Sequence, residues 1–238
     1  MSISPLQQNL FDLRQQIATY AQQAQRNPQE ITLIAVSKTM PASAILEVAS
    51  GQQVHFGENY LQEALDKQNE IKKLNNKLSL IWHFIGPIQR NKTTAIATHF
   101  DWVHSIDRLI IAERLAHSRP ETLPPLNICL QLNLDDESTK SGITSLTALH
   151  TMIEAILQLP RLQLRGLMCI PKPREDFETQ RAGFHQLRTL LDEINTRHHL
   201  KLDTLSMGMS HDLKAAIFEG ATFVRVGTAI FGQRPTSC

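Results

Sequence analysis

Short apolar, β-branched runs recur along the chain, with helical patterns between them. ITLIAV (Ile31 to Val36) is the first, followed by VHFGE (Val54 to Glu58), IWHFIG (Ile81 to Gly86) and WVHSI (Trp102 to Ile106). LNICLQLN (Leu126 to Asn133), LRGLMCI (Leu164 to Ile170), TLSMG (Thr204 to Gly208) and TFVRVG (Thr222 to Gly227) complete the set. Each run has strand length, and several are nearly continuously apolar, as strands covered on both faces are.

The intervening segments carry the other period. Leu146, Leu149, Ile153 and Ile156 recur at helical spacing, and Pro160 ends the pattern. Phe184, Leu187, Leu190, Leu191 and Ile194 form a second stripe; Ala44, Ile45 and Val48 form a third, after Pro41 near a helix start. Leu6, Leu10, Leu13 and Ile17 predict an extra helix ahead of the first strand. KQNEIKKLNNKL (Lys67 to Leu78) has sparse apolar positions and reads as a solvated helix or loop.

Strands alternating with helices pair in parallel through right-handed crossovers. About eight such units predict an α/β fold, a single-domain (β/α)8 TIM barrel over residues 1–238 with a leading N-terminal helix. The competing open doubly wound sheet favours a GxGxxG turn after the first strand, and the sequence has none there.

Composition narrows the function classes. The 24 Lys+Arg and 23 Asp+Glu leave a net charge of +1, which argues against a dedicated nucleic-acid binder. No run approaches a membrane span, and MSISPLQQNL does not open a signal peptide, so a cytoplasmic protein is expected. Cys129, Cys169 and Cys238 form no CxxC, and the first two sit in apolar runs as buried hydrophobes do. The scattered histidines show no metal-ligand spacing.

In a barrel the active face is the C-terminal end of the strands. Lys38 follows the first apolar run, where a lysine is out of place unless it has a task. Partial desolvation of such an amine suits Schiff-base chemistry; the plainer alternative is a lysine reaching water at the rim. Ser206-Met207-Gly208-Met209-Ser210 ends the seventh strand and Val226-Gly227-Thr228 ends the eighth, the positions where barrels bind phosphate. Ser210 is expected to cap a helix start, and both glycines allow close approach of an anion. A phosphate cradle opposite a reactive lysine describes a site for pyridoxal 5'-phosphate (PLP). Arg225, two residues before Gly227, shares its face; it would meet the ring nitrogen, or else pair with Asp203, Asp212 or Glu219.

Longer motifs then carry a resemblance. AVSKT (Ala35 to Thr39), FGENYLQE (Phe56 to Glu63), WHFIGPIQRNK (Trp82 to Lys92) and DWVHSIDR (Asp101 to Arg108) are four of them. STKSGI (Ser138 to Ile143), RGLMCIP (Arg165 to Pro171), SMGMSHD (Ser206 to Asp212) and VRVGTAIFG (Val224 to Gly232) are the others. Together they resemble the YggS/PROSC-type PLP-binding proteins, or PLP homeostasis proteins, from about Leu33 to Gly232. The resemblance implies a barrel similar to the N-terminal domain of alanine racemase. It implies Lys38 as the Schiff-base lysine, Ser210, Gly227 and Thr228 on the phosphate with Met209 lending backbone, Arg225 at the pyridine nitrogen and Asn59 near the ring. It also implies regulation of free PLP and of amino-acid balance without established turnover, in a protein that is mainly monomeric.

A carrier that limits reaction of the free aldehyde, and supplies PLP to apo-enzymes, is therefore the expected function. A PLP-dependent racemase is the alternative. It needs an acid/base on each face of the substrate, and the racemase tyrosine comes from a C-terminal domain for which this chain is too short. Tyr20 and Tyr60 are the two tyrosines, and neither has the racemase context. A barrel enzyme binding a phosphorylated sugar without PLP is a third reading. Lys140, in STKSG, is a second rim lysine; an ordinary surface lysine is the commoner outcome, and a transient hold on departing PLP is the alternative. His83 and His104 are left outside the expected site.

Overall fold

The computed structural model describes residues 3–135, 137 and 141–233. Eight strands close into a barrel in sequence order, every neighbour parallel. They are β1 (Thr32–Val36), β2 (His55–Glu58), β3 (Ile81–Phe84), β4 (Trp102–Ile106), β5 (Leu126–Leu132), β6 (Leu162–Cys169), β7 (Thr204–Ser206) and β8 (Phe223–Val226). Each falls on one of the apolar runs. The helices that follow them are α2 (Ala42–Ser50), α3 (Leu61–Leu74), α4 (Thr93–His99), α5 (Leu109–Ser118), α6 (Leu146–Ile156), α7 (Phe177–His198), α8 (Leu213–Phe218) and the short α9 (Thr228–Phe231).

The expected leading helix is α1 (Pro5–Gln23). Ser4 and Gln7 form a reciprocal capping box at its start, with Pro5 in the first turn. Its buried stripe, Leu10, Leu13, Ile17 and Ala21, packs on α2, α8 and α9. Asn9 donates to Ile230 O and Arg26 to Ile217 O, so α1 lies across the seam where β8 meets β1.

Two buried clusters result. The larger lies between strands and helices. The smaller comes from strands alone: Ile34, Trp102, Cys129, Met168 and Phe223 fill the barrel interior. Cys129 and Cys169 are buried as expected, and burial pushes the Cys169 thiol up to about 12. Arg165 closes the N-terminal mouth, 5.1 Å over the Trp102 ring and 2.6 Å from Asp203. Among the described residues no helix is long and apolar enough to cross a membrane.

Three local expectations are corrected. Leu146 is exposed, because it starts α6 before the stripe turns inward. Lys67 is buried: α3 turns it toward the end of β2, where an acid waits for it. Ser210 does not cap a helix. The segment after it stays in a turn, α8 begins at Leu213, and Asp212 takes the cap position with Oδ1 accepting from Met209 N at 2.6 Å. Lys140 and Cys238 lie outside the described residues.

Candidate functional site

A cavity of about 270 Å³ opens at the C-terminal end of the strands. Lys38, Asn59, Met209, Ser210, Arg225, Gly227 and Thr228 all line it. Residues from β1, β2, β7 and β8, up to 190 positions apart in sequence (Lys38 to Thr228), therefore converge.

Lys38 is placed by its neighbours. Ser37 still follows the strand ladder, its N–H donating to Gly57 O. Thr39 turns into the left-handed region (φ 66°), and its N–H donates to Glu63 Oε1 at 2.5 Å. The Ser37 hydroxyl donates to Glu58 Oε1 at 2.6 Å. Lys67 Nζ ties these together, donating to Ser37 O at 2.8 Å and lying 2.7 Å from Glu58 Oε1 and 2.5 Å from Glu63 Oε1. Glu58 is fully buried, and burial pushes its carboxyl up while Lys67 and Ser37 oppose the shift. Both residues flanking Lys38 are thus gripped by one buried ion-pair cluster.

Asn59 is set by a close approach. A Cβ on Gly86 would lie 2.3 Å from Asn59 O, so only glycine lets the end of β3 pass beneath it. Asn59 Oδ1 is buried and has no hydrogen-bond partner among the described residues. A buried orphan acceptor calls for a donor that a ligand can bring.

The far wall is built from the ends of β7 and β8. Gly208 has φ 95° and a Cβ there would meet Ala216 at 2.5 Å; its carbonyl accepts from Arg225 N at 3.0 Å. Among the described residues, the Ser210 and Thr228 hydroxyls have no partner within the chain and line the cavity. The Met209 N–H donates to Asp212 Oδ1 at 2.6 Å.

Arg225 is buried, and burial lowers its basicity. None of the three expected carboxylates pairs with it: Asp203 binds Arg165, Glu219 binds Arg181, and Asp212 holds Met209 N. Its guanidinium donates to Ser206 Oγ at 2.7 Å and Cys169 O at 3.0 Å.

Sequence reasoning missed two groups. Glu58, Glu63 and Lys67 sat in or beside a quoted motif, and a glutamate ending an apolar strand was the available signal. His83 and His104 were set aside, yet both are fully buried in a row that reaches Arg225 through Ser206. Burial holds both rings well below the ordinary histidine value. In the unfolded chain they protonate below about pH 6.5, while in the barrel they stay neutral. Stability is therefore complete above that value and falls with acid, by up to about 1.4 kcal/mol per pH unit for each ring. Urea unfolding followed from neutral to mildly acidic pH should show this slope. A His83→Gln protein should show a shallower one, and equal slopes would count against the account.

Residues 9–235 match the family described as alanine racemase, N-terminal domain. The pyridoxal phosphate homeostasis protein of Pseudomonas aeruginosa is 53% identical over 232 residues, 98% of this chain and 97% of the relative. The protein of that name from Escherichia coli is 50% identical over 229 residues, covering 96% and 97%. The chain belongs to the pyridoxal phosphate homeostasis protein family. The structure of PipY from Synechococcus elongatus with PLP bound is similar at TM-score 0.83 and 39% identity, over 95% of this chain and all of that one (100%). Alanine racemase from Corynebacterium glutamicum shares the fold (TM-score 0.67, 16% identity), over 97% of this chain and 61% of the racemase.

Proposed function

We propose that this protein holds PLP reversibly and takes part in the homeostasis of that cofactor and of amino acids in the cytoplasm. The observation that carries the reading is the convergence of an amine, a buried guanidinium, an unpartnered amide oxygen and two hydroxyls on one cavity. They fit the groups of PLP one by one. Ser210 and Thr228 donate to the phosphate, beside Gly227, where the backbone is bare. Arg225 faces the pyridine nitrogen with a group that stays cationic. Asn59 lies near the ring, and Lys38 supplies the amine for a Schiff base. PLP brings an aldehyde, whose condensation with an amine releases water and is reversible.

An arginine at the ring nitrogen keeps that nitrogen unprotonated, which makes the ring a weaker electron sink. This favours holding over turnover. Tyr60 is 54% exposed and lies outside the residues lining the cavity, which supports holding over a two-base racemase. Transfer of PLP to apo-enzymes and a monomeric state complete the proposal.

The test combines two measurements. Purified protein loaded with PLP should be yellow, and borohydride should fix a pyridoxyl group on Lys38. Incubation with amino acids in heavy water should give little α-proton exchange; robust Lys38-dependent exchange would overturn the holding role in favour of a racemase-like enzyme.

A narrower expectation concerns the phosphate wall. Thr228→Val keeps the shape and removes one hydroxyl. A hydrogen bond to a charged acceptor contributes about 1.5–3 kcal/mol, so PLP affinity should fall roughly tenfold or more. Unchanged affinity by fluorescence titration would remove Thr228 from the phosphate site.

A further inference from the structure

Below the cavity, four side chains continue from Arg225 to the opposite end of the barrel. Arg225 donates to Ser206 Oγ, which lies 2.7 Å from His104 Nδ1. His104 Nε2 is 2.8 Å from His83 Nδ1, and His83 Nε2 is 2.9 Å from His55 Nδ1. His83, His104 and Ser206 are fully buried. His55 is partly exposed and lines a groove at the N-terminal end of the strands, between α1 and the starts of β1 and β2.

A neutral imidazole has one donor and one acceptor. His83 and His104 each spend both nitrogens within the row, so the ring N–H groups must all point the same way. If they point toward Ser206, its oxygen receives both His104 and Arg225, and its own proton has no acceptor among the described residues. If they point away, the Ser206 hydroxyl donates to His104, accepts from Arg225 and is satisfied. The second register also turns the negative ends of the dipoles toward the guanidinium. All three rings are then Nε2–H tautomers, and the last N–H leaves through His55.

We propose that His55, His83, His104 and Ser206 form a one-way hydrogen-bond chain that seats the Arg225 guanidinium and couples protonation of His55 to the grip on the cofactor. The proposal rests on the PLP reading of the cavity. A proton added at His55 occupies Nδ1, the atom that accepts from His83. Every ring N–H must then reverse, and the Ser206 hydroxyl proton is left without an acceptor among the described residues. Bound cofactor, which needs Arg225 in its seat, favours neutral His55, so affinity falls as pH drops through the His55 titration.

The groups facing the row are few. His55 meets His83 from β3 and the Phe223 ring from β8, and Arg14 of α1 lines its groove. Trp102 stacks on His83, and Phe223 meets the edges of His83 and His104. Arg225 feels Cys129, Cys169 and Asp212, the last already bonded to Met209 N.

His55→Gln gives the cleanest test, since its amide oxygen still accepts from His83 but cannot take up a proton. Ring tautomers are read first, by two-bond proton–nitrogen NMR of cofactor-free protein with labelled histidine. Nε2–H forms at His83 and His104 are expected at about pH 8, well above the histidine range; an Nδ1–H form at either ring overturns the chain. PLP affinity is then compared at about pH 8 and pH 5.5 for wild type and His55→Gln. A one-unit coupling makes the wild-type loss severalfold greater, with about tenfold as its ceiling. Superimposable pH profiles would overturn the coupling. Ser206→Ala, which cuts the row at Arg225 while leaving His55 titratable, should behave like His55→Gln in this comparison. If wild type takes up no PLP at either pH, the cavity reading fails, and the tautomer result still decides the chain.

Discussion

Lys38→Ala protein should lose its yellow colour, yield no pyridoxyl peptide after borohydride and release PLP far faster than wild type. The expected loss is large because a covalent link is replaced by a handful of polar contacts. We expect release to accelerate by at least about a hundredfold, equivalent to ~2.7 kcal/mol. The fold should survive, because Lys38 leaves the barrel at the end of β1 and its neighbours are held by their own bonds to Gly57 and Glu63. Phosphate holding through Ser210 and Thr228 should remain, so residual affinity is expected to be non-covalent and to respond further to Thr228→Val. Lys38 is the one lysine lining the cavity among the described residues. Retention equal to wild type in Lys38→Ala would therefore refute the Schiff base as the main anchor.

The second large effect is expected at a residue that does not line the cavity. Glu58→Ala removes the central acceptor of the cluster behind Lys38 and leaves the Lys67 ammonium buried with a reduced set of partners. Breaking a buried pair from one side costs about 3–5 kcal/mol, and the surviving Glu63 contact places this case at the lower end. For a chain of this size 1 kcal/mol shifts Tm by roughly 2–4 °C, so a fall of roughly 6–12 °C is expected by thermal denaturation. PLP retention should drop as well, because the Ser37 hydroxyl loses its partner and the turn into Thr39 loosens. Glu58→Gln keeps the shape and an oxygen for Ser37 and Lys67. It should recover only part of the stability, whereas a purely steric role for Glu58 would give full recovery. A Tm change under about 2 °C in Glu58→Ala would show that the buried pair contributes little to the fold.

The barrel was legible in the sequence because strands buried on both faces leave long apolar runs, and the helices between them leave a 3.6-residue stripe. Those signals are local, and all eight predicted strands lie where the runs are. The leading helix was legible for the same reason, through Leu10, Leu13 and Ile17. The polar segment at Lys67 was misread because sparse apolar positions describe average solvation, whereas one lysine can be buried if a distant acid compensates it. Leu146 erred in the opposite direction, since a stripe does not say where the first turn ends.

The same division applies to the site. Strand order and the rule that ligands bind at C-terminal strand ends were enough to name Lys38, Ser210, Arg225, Gly227 and Thr228 from the residues. Asn59 and Met209 came from the resemblance of whole motifs. What no sequence pattern contained was the partner of each polar group. Arg225 had three nearby carboxylates in sequence and uses none of them, because β6 and β7 bring Cys169 O and Ser206 closer. Asp212, one of those three, holds the Met209 N–H instead. His83 and His104 looked like ordinary core histidines until closure of the barrel set β2, β3 and β4 side by side and brought Ser206 of β7 within reach of His104 across the interior. The sequence by itself determined which segments bury their faces and therefore where strand ends must lie. Only the tertiary structure decided which donor meets which acceptor, because a hydrogen bond depends on distances of a few tenths of an ångström between residues that are far apart along the chain.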